Sequence, residues 1–204
     1  MHISEGVLAA PVLLVGAALG LAGTAVGLKK LDYDRIPQVA LLAAASFVAS
    51  FIHVPIGPAS VHLVLNGILG VMLGWVAFPA ILISLFPQAI MFQFGGLTVL
   101  GVTTCNMALP AVLGYYAFSA GIRSPKPFVS GLCSFLCGFV AILLSSLAVA
   151  GCLVLTGGSF WAGAKMIVLA HIPVMFIEGF ITLGCVRFLK KVKPEMLEVV
   201  YARP

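Results

Sequence analysis

Apolar runs follow one another along almost the whole chain, and short groups of polar residues, glycines and prolines separate them. Counting the runs between these breaks predicts seven helical spans, or six if one of the short runs is re-entrant. The longest runs exceed the roughly 20 residues that an α-helix needs to cross a bilayer, and the second to fifth are nearer about 15 residues. The predicted spans are residues 7–28, 37–52, 61–76, 78–92, 106–120, 128–155 and 160–189.

Composition places these spans in a membrane. Of the 204 residues, 62% are hydrophobic and only 8% are charged, whereas about a quarter of a soluble domain is charged. Helices satisfy every backbone polar group inside lipid, so a helical bundle is the expected architecture. The sequence therefore predicts an all-α polytopic membrane protein with one transmembrane domain over residues 1–204 and no separate soluble domain.

The basic residues predict the orientation. With seven spans, ten of the eleven lysines and arginines fall on one side, and Lys165 is the exception. Because basic residues mark the cytoplasmic side, the N-terminus is predicted outside and the C-terminus inside. The net charge of +5 thus reflects helix ends, and nucleic acid is not an expected partner. The ten residues are Lys29, Lys30, Arg35, Arg123, Lys126, Arg187, Lys190, Lys191, Lys193 and Arg203.

This topology puts the opening hexapeptide MHISEG at the outer face. The Met1 amine, the His2 amide nitrogen and the His2 imidazole can close fused rings around one metal ion and leave a fourth corner of a plane open. Square-planar nitrogen coordination suits nickel(II) or copper(II) better than zinc. The alternative is an ordinary polar start before a membrane helix.

His62 is the candidate for the fourth corner, because it follows a Pro/Gly-rich turn at the outer start of the third span. A metal-binding imidazole needs an acceptor for its second nitrogen. The alternative for His62, and for His53 at the end of the second span, is an interfacial histidine bonded to backbone carbonyls. The candidate acceptors and neighbouring loop residues are His53, Ser60, Asn66 and Asn106.

His171 and Glu178 lie inside the seventh span, two helical turns apart on one face. A carboxylate in lipid indicates a functional site, or else a buried hydrogen bond that fastens the helix to a neighbour. At 1.5 Å per residue, Glu178 lies about 27 Å along the axis from Phe160. We therefore predict that Glu178 is too deep to bind a metal held by Met1 and His2.

The first span carries small residues on one face, at Gly16, Gly20 and Thr24. In lipid such a face lets another helix approach closely. The pattern favours packing within the chain, and a docking face for a partner membrane subunit is the alternative.

At this point the residues resemble a known family. MHISEG is similar to the MHIxEG start of the CbiM/NikM proteins, the substrate-capture (S) components of energy-coupling factor transporters for cobalt and nickel. The resemblance continues in order through PxxPASVH ending at His62, QxxxxQFGG starting at Gln88, NMA starting at Asn106, and a His171 to Glu178 pair. It covers essentially the whole chain.

The resemblance implies a seven-helix S-component fold with an extra N-terminal segment whose tip inserts into the bundle. It implies nickel(II) or cobalt(II) as transported substrate, held by Met1, His2 and His62 in a pocket closed by the loop of residues 53–60. The implied partners are a transmembrane T subunit and a pair of cytoplasmic ATPases, often with a small accessory membrane protein. The implied location is the inner membrane of a prokaryote.

Two departures favour nickel and leave cobalt open: Ser4 stands where cobalt-type members have Met or Pro, and their SCSHPTG stretch is missing. The competing interpretations are a metal sensor without transport partners, a membrane enzyme and a channel. The chain has no Walker A motif, no HExxH pair and no GxSxG, so neither ATPase nor hydrolase activity is expected. A channel would need polar residues along several spans, and the sixth is almost wholly apolar.

Overall fold

The computed structural model describes residues 2–56 and 59–198. It is a helical bundle with one antiparallel hairpin, and its helical fold agrees with the prediction. Short 3-10 turns lie at Tyr33–Arg35, Gly74–Val76 and Gly158–Phe160. The elements are α1 (Ala10–Lys29), α2 (Ile36–Ala49), β1 (His53–Ile56), β2 (Ala59–His62), α3 (Asn66–Leu73), α4 (Ala77–Phe92), α5 (Leu100–Ile122), α6 (Pro127–Thr156), α7 (Trp161–Val192) and α8 (Glu195–Glu198).

Prolines begin several of the helices. α1, α2 and α6 each carry a proline in the first two helical positions, where a missing N–H costs nothing and the fixed φ suits a helix. Within the described residues, four helical segments are long and apolar enough to cross a membrane. They are Ala10–Lys29, Asn66–Phe92, Pro127–Thr156 and Gly158–Val192. The exact number of spans and their orientation stay predictions.

The segment Asn66–Phe92 forms two helices, because the chain reverses at Gly74, whose φ is 54°. A side chain is rarely tolerated at such a φ, and glycine is. His62, four residues before the start of α3, and Phe94, two residues after the end of α4, both contact the ring of His2. α3 and α4 therefore run in opposite directions, as the separate third and fourth predicted spans require.

α3 lies at the centre of the bundle, against α5, α6 and α7. All eight of its residues are buried. Its glycines allow close packing: a Cβ at Gly70 would lie 2.3 Å from the Ala111 carbonyl oxygen, and one at Gly67 would lie 2.6 Å from the Gly138 Cα. α3 is thus enclosed by protein on every side.

α1 uses its small residues within the chain. Gly16 packs against Val102 and Gly20 against the backbone of Gly101, both on α5. The docking interpretation of Gly16, Gly20 and Thr24 does not fit these contacts, because α5 already covers the glycine face. Thr24 donates its hydroxyl to the Gly20 carbonyl, 2.8 Å away, inside the same helix.

The basic residues gather at the end of the bundle opposite His2. Arg35 donates to the Met72 carbonyl at the end of α3, and Lys190 donates to the Ser124 carbonyl after α5. Arg123 donates to the Leu197 carbonyl of α8. The three basic regions of the sequence therefore lie at one end, as the topology prediction requires.

The sequence did not predict the hairpin. β1 and β2 pair antiparallel, with His53 opposite His62. The predicted third span began near residue 61, but that part of the chain is a strand, and the helix starts only at Asn66. His62 is thus presented from an extended segment that enters the bundle.

Candidate metal site at the histidine end of the bundle

The N-terminal segment is held between the hairpin and the loop after α4. The Ser60 N–H donates to the His2 carbonyl at 3.0 Å, and Ile3 is fully buried. Glu5 accepts the Thr98 N–H at 2.9 Å, and this bond lowers the pKa of the exposed Glu5 carboxyl. Three separate contacts therefore fix the residues that follow Met1.

Gly95 and Gly96 let the loop after α4 come close to this segment. Both have positive φ values, 83° and 133°, which glycine tolerates best. A Cβ at Gly95 would lie 3.4 Å from the His2 Nδ1, and one at Gly96 would lie 2.5 Å from the Glu5 carboxyl carbon. The QFGG match in the sequence thus has a physical role that sequence reasoning did not assign.

The rings of His2 and His62 stack, with centroids 4.5 Å apart and an angle of 20° between their planes. Both side chains are buried, with 5% and 2% of their surface exposed. Burial lowers the pKa of each to about 4, and the lowering at His2 is opposed by Gln88 and assisted by His53. Near neutral pH both rings are therefore uncharged, and each retains a nitrogen lone pair that can bind a metal.

The tautomer of His62 follows from one hydrogen bond. Its Nδ1 lies 2.9 Å from the Leu63 carbonyl oxygen, which can only accept, so Nδ1 carries the proton. The Nε2 lone pair is left free, and this atom is buried with no hydrogen-bond partner among residues 2–56 and 59–198. The acceptor for the second nitrogen is a backbone carbonyl, and not one of the four side chains that the sequence suggested.

Those four residues lie in different places. His53 is half-buried at the rim, where its ring contacts Phe94 at 4.3 Å, and Ser60 reaches the site through its backbone N–H. Asn66 donates to Ser145 at 3.0 Å, and Asn106 lies beside the Cys152 sulfur at 3.6 Å. The two asparagines thus pack between helices rather than around His62.

Gln88 is a site residue for which the sequence predicted no role. It is buried on α4, and its amide acts on the pKa of His2. The Gln88 Nε2 donates to Ser84. The Gln88 Oε1 and the His2 Nε2 are both buried and have no hydrogen-bond partner in the part of the chain that the structure describes. An acceptor and a potential N–H donor thus lie near each other, which suits a role in orienting the His2 ring.

α7 contributes the remaining polar groups. The His171 Nδ1 lies 2.7 Å from the Ile167 carbonyl oxygen, and its Nε2 is buried without a partner. His171 is close enough to His62 for an electrostatic interaction. Glu178 accepts the N–H groups of Val64 and Leu65, each at 2.6 Å. Glu178 is therefore next to the segment that carries His62, although the helix-axis distance had suggested that it lies too deep to take part.

Met1 lies outside the described residues, so its predicted role as a ligand stays a prediction. No group of three or more His, Cys, Asp or Glu side chains gathers around a common point within the part of the chain that the structure describes. The described residues of the site form a stacked pair of neutral imidazoles, His2 and His62, where the N-terminal backbone meets the bundle.

Comparison with known proteins identifies the family. Residues 2–196 match the family model of CbiM, described as the cobalt uptake substrate-specific transmembrane region. A putative metal transport protein of Haemophilus influenzae is 44% identical over 199 residues, which cover 97% of each chain. The fused nickel transport protein NikMN of Rhodobacter capsulatus is 32% identical, and the match covers 97% of this chain and 64% of that longer protein.

A solved crystal structure of a transition metal transporter has the same fold, with a TM-score of 0.77, 25% identity and 98% coverage of both chains. Fold and comparisons together define the class, a helical membrane protein of transition-metal transport. Within that class, the chain belongs to the CbiM family. It is therefore a transport component of the cobalt and nickel type.

Proposed function

We propose that this chain is the S component of an energy-coupling factor transporter and captures nickel(II) or cobalt(II) at the outer face of a prokaryotic inner membrane. Its ligands would be the Met1 amine, the His2 amide nitrogen, the His2 imidazole and the His62 imidazole. A T subunit and two cytoplasmic ATPases would supply the energy for import, with a small accessory membrane protein in some assemblies.

The observation that carries this proposal is the stacked and buried pair of His2 and His62. Neutral imidazoles are good ligands for nickel and cobalt. Two uncharged rings 4.5 Å apart, each with a buried Nε2 that has no hydrogen-bond partner among the described residues, offer lone pairs without the repulsion of two imidazolium ions. Family membership supports the choice of metal, since the CbiM description names cobalt and a relative's name specifies nickel.

The placement of charge supports the proposed orientation. The basic residues gather at the end opposite His2, and basic ends face the cytoplasm. The histidine end would then open to the outside, where a scarce metal is captured, and the basic end would face the ATPases.

The test compares the native chain with a chain that carries one alanine before Met1. Both are purified in detergent, stripped of metal and titrated with nickel and with cobalt. The added residue moves the amine away from the His2 amide, so we expect binding at least about tenfold weaker. His62→Ala removes one proposed ligand directly, so we expect its metal affinity to fall by at least as much as that of the extended chain.

His53→Ala is the matched control, because His53 lies at the rim and the proposed ligand set does not include it. We expect its affinity to stay within about threefold of the native value. Equal binding by the native and the extended chain would exclude the N-terminal chelate. Full metal occupancy in His62→Ala would place the fourth ligand elsewhere.

A further inference from the structure

His62 ends β2, and residues 63–65 then join β2 to α3 without regular secondary structure. Leu65 takes a left-handed conformation with φ of 63°. Such a φ is unfavourable for a branched side chain. The Leu63 carbonyl that fixes the His62 tautomer belongs to this segment. The position of residues 63–65 must therefore be set by contacts with other parts of the chain.

Glu178 makes the strongest of these contacts. One carboxylate oxygen accepts the N–H groups of both Val64 and Leu65 at 2.6 Å. Leu65 precedes the first turn of α3, so these donors lie at a helix start, where N–H groups lack partners inside the helix.

Weaker contacts hold the other side of the same peptides. Ser46 of α2 donates its hydroxyl to the Val64 carbonyl at 3.0 Å, and the Leu63 N–H donates to the Ile52 carbonyl at 3.2 Å. These bonds are longer than the two that Glu178 accepts, and Glu178 is fully buried.

We propose that Glu178 is a positioning residue for the metal site: by holding the Val64 and Leu65 N–H groups, it places the Leu63 carbonyl that presents the His62 Nε2 lone pair to the metal. The inference rests on the proposed function for the identity of the ligand, but its geometry concerns His62 alone. It also makes α7 a direct link between the site and the basic end of the bundle, because α7 carries both Glu178 and Lys190. A shift of α7 along its axis would withdraw the carboxylate and release His62.

Three variants test this role in the full chain. Glu178→Gln keeps an oxygen acceptor at the same reach, Glu178→Asp keeps the carboxyl group but is one methylene shorter, and Glu178→Met keeps the length without an oxygen acceptor. Metal affinity should decrease from Glu178→Gln through Glu178→Asp to Glu178→Met. The Glu178→Met protein should bind metal at least about tenfold more weakly than wild type. The ligand-field absorption bands of bound nickel should shift in the Asp and Met variants.

A second readout needs no metal. In chelator-treated protein labelled with ¹⁵N-histidine, the His62 signal is identified by its loss in His62→Ala. Wild type and Glu178→Gln should show one tautomer with a protonated Nδ1, and Glu178→Met should show a mixture. This measurement separates the two proposals, because failure of the metal-binding function would leave the tautomer result unchanged.

Thr182→Val is the matched control, since Thr182 lies one turn further along α7 and is also fully buried without a hydrogen bond from its hydroxyl. It should keep wild-type affinity and spectrum even if its melting temperature changes. If Glu178→Met does not fold, the comparison of Glu178→Asp with Glu178→Gln still tests the positioning role. Glu178→Asp binding better than Glu178→Gln, or a single unchanged tautomer in the Asp and Met variants, would overturn the proposal.

Discussion

α1 and α3 are both apolar helices, but they occupy opposite environments. α1 has 20 residues and buries only Gly20, Gly23 and Gly27, whereas α3 has eight residues and buries all of them. Large side chains of α1 such as Leu14 and Leu21 are 72% and 69% exposed, on a face that suits lipid. α3 is covered by α5, α6 and α7. Two helices of similar apolar composition therefore have different roles: α1 contacts lipid, and α3 supports the interior of the bundle.

The difference in burial between α1 and α3 explains which helix can stabilise a buried polar side chain. A buried carboxylate needs fixed donors around it, and the start of α3 supplies them to Glu178. α1 has no ionisable side chain before Lys29. The short internal helix can thus organise the site, and the long outer helix anchors the N-terminal segment beside it.

The largest effect should come from a change that breaks the enclosure of α3. Gly70→Leu places a side chain where even a Cβ would lie 2.3 Å from the Ala111 carbonyl oxygen. Overpacking of this kind, at backbone rather than at a flexible side chain, should cost more than about 3 kcal/mol. We expect little or no folded protein by gel filtration in detergent.

Leu21→Ala on the exposed face of α1 is its control and should change the melting temperature by less than about 3 °C. A folded and stable Gly70→Leu protein would mean that α3 is not enclosed as described.

A smaller effect should appear as the pH falls. His2 and His62 have pKa values near 4 in the folded chain, against 6.5 in an exposed histidine. The unfolded state binds more protons between these values, so the stability that the neutral rings contribute is present above about pH 6.5 and is lost as the pH falls toward 4. The loss amounts to roughly 3 kcal/mol per histidine at most.

The measurement is the melting temperature of metal-free protein between about pH 7.5 and pH 4.5. His62→Phe, which keeps an aromatic ring in the stack, should show a shallower decline than wild type. Identical curves would mean that His62 titrates as an exposed residue does.

The smallest effect should come from Thr24→Ala on α1. The Thr24 hydroxyl bonds only to a carbonyl of its own helix, and such bonds contribute little to stability. We expect a change within about 0.5 kcal/mol and unchanged metal binding. Uptake measured in cells with the partner subunits should also be unchanged, and a large loss of uptake would restore the docking interpretation of this face.

The helical part of the fold was predictable because apolar runs with proline starts carry their own signal. The predicted fifth span begins six residues too late, since α5 already starts at Leu100 and includes Thr104, whose hydroxyl bonds to the Leu100 carbonyl. Threonine can satisfy its hydroxyl inside a helix in this way. The strands were missed because each has only four residues.

The parts of the candidate site that are formed by side chains were predictable from the sequence. The parts that are formed by backbone groups were not. His2 and His62 were predicted to come together, and their rings stack in the structure. The Leu63 carbonyl and the Val64 N–H leave no mark in the sequence, since every residue has such groups. The depth of Glu178 was measured along its own helix, which says nothing about how far the segment after His62 descends to meet it.

The tethering of the N-terminal segment has a kinetic consequence. Ile3 is fully buried, the His2 carbonyl is bonded to the Ser60 N–H, and Glu5 is bonded to the Thr98 N–H. In the proposed site, these contacts hold the chelating backbone in place while the metal ion is bound. Variants that weaken them should therefore shorten the residence time of the ion.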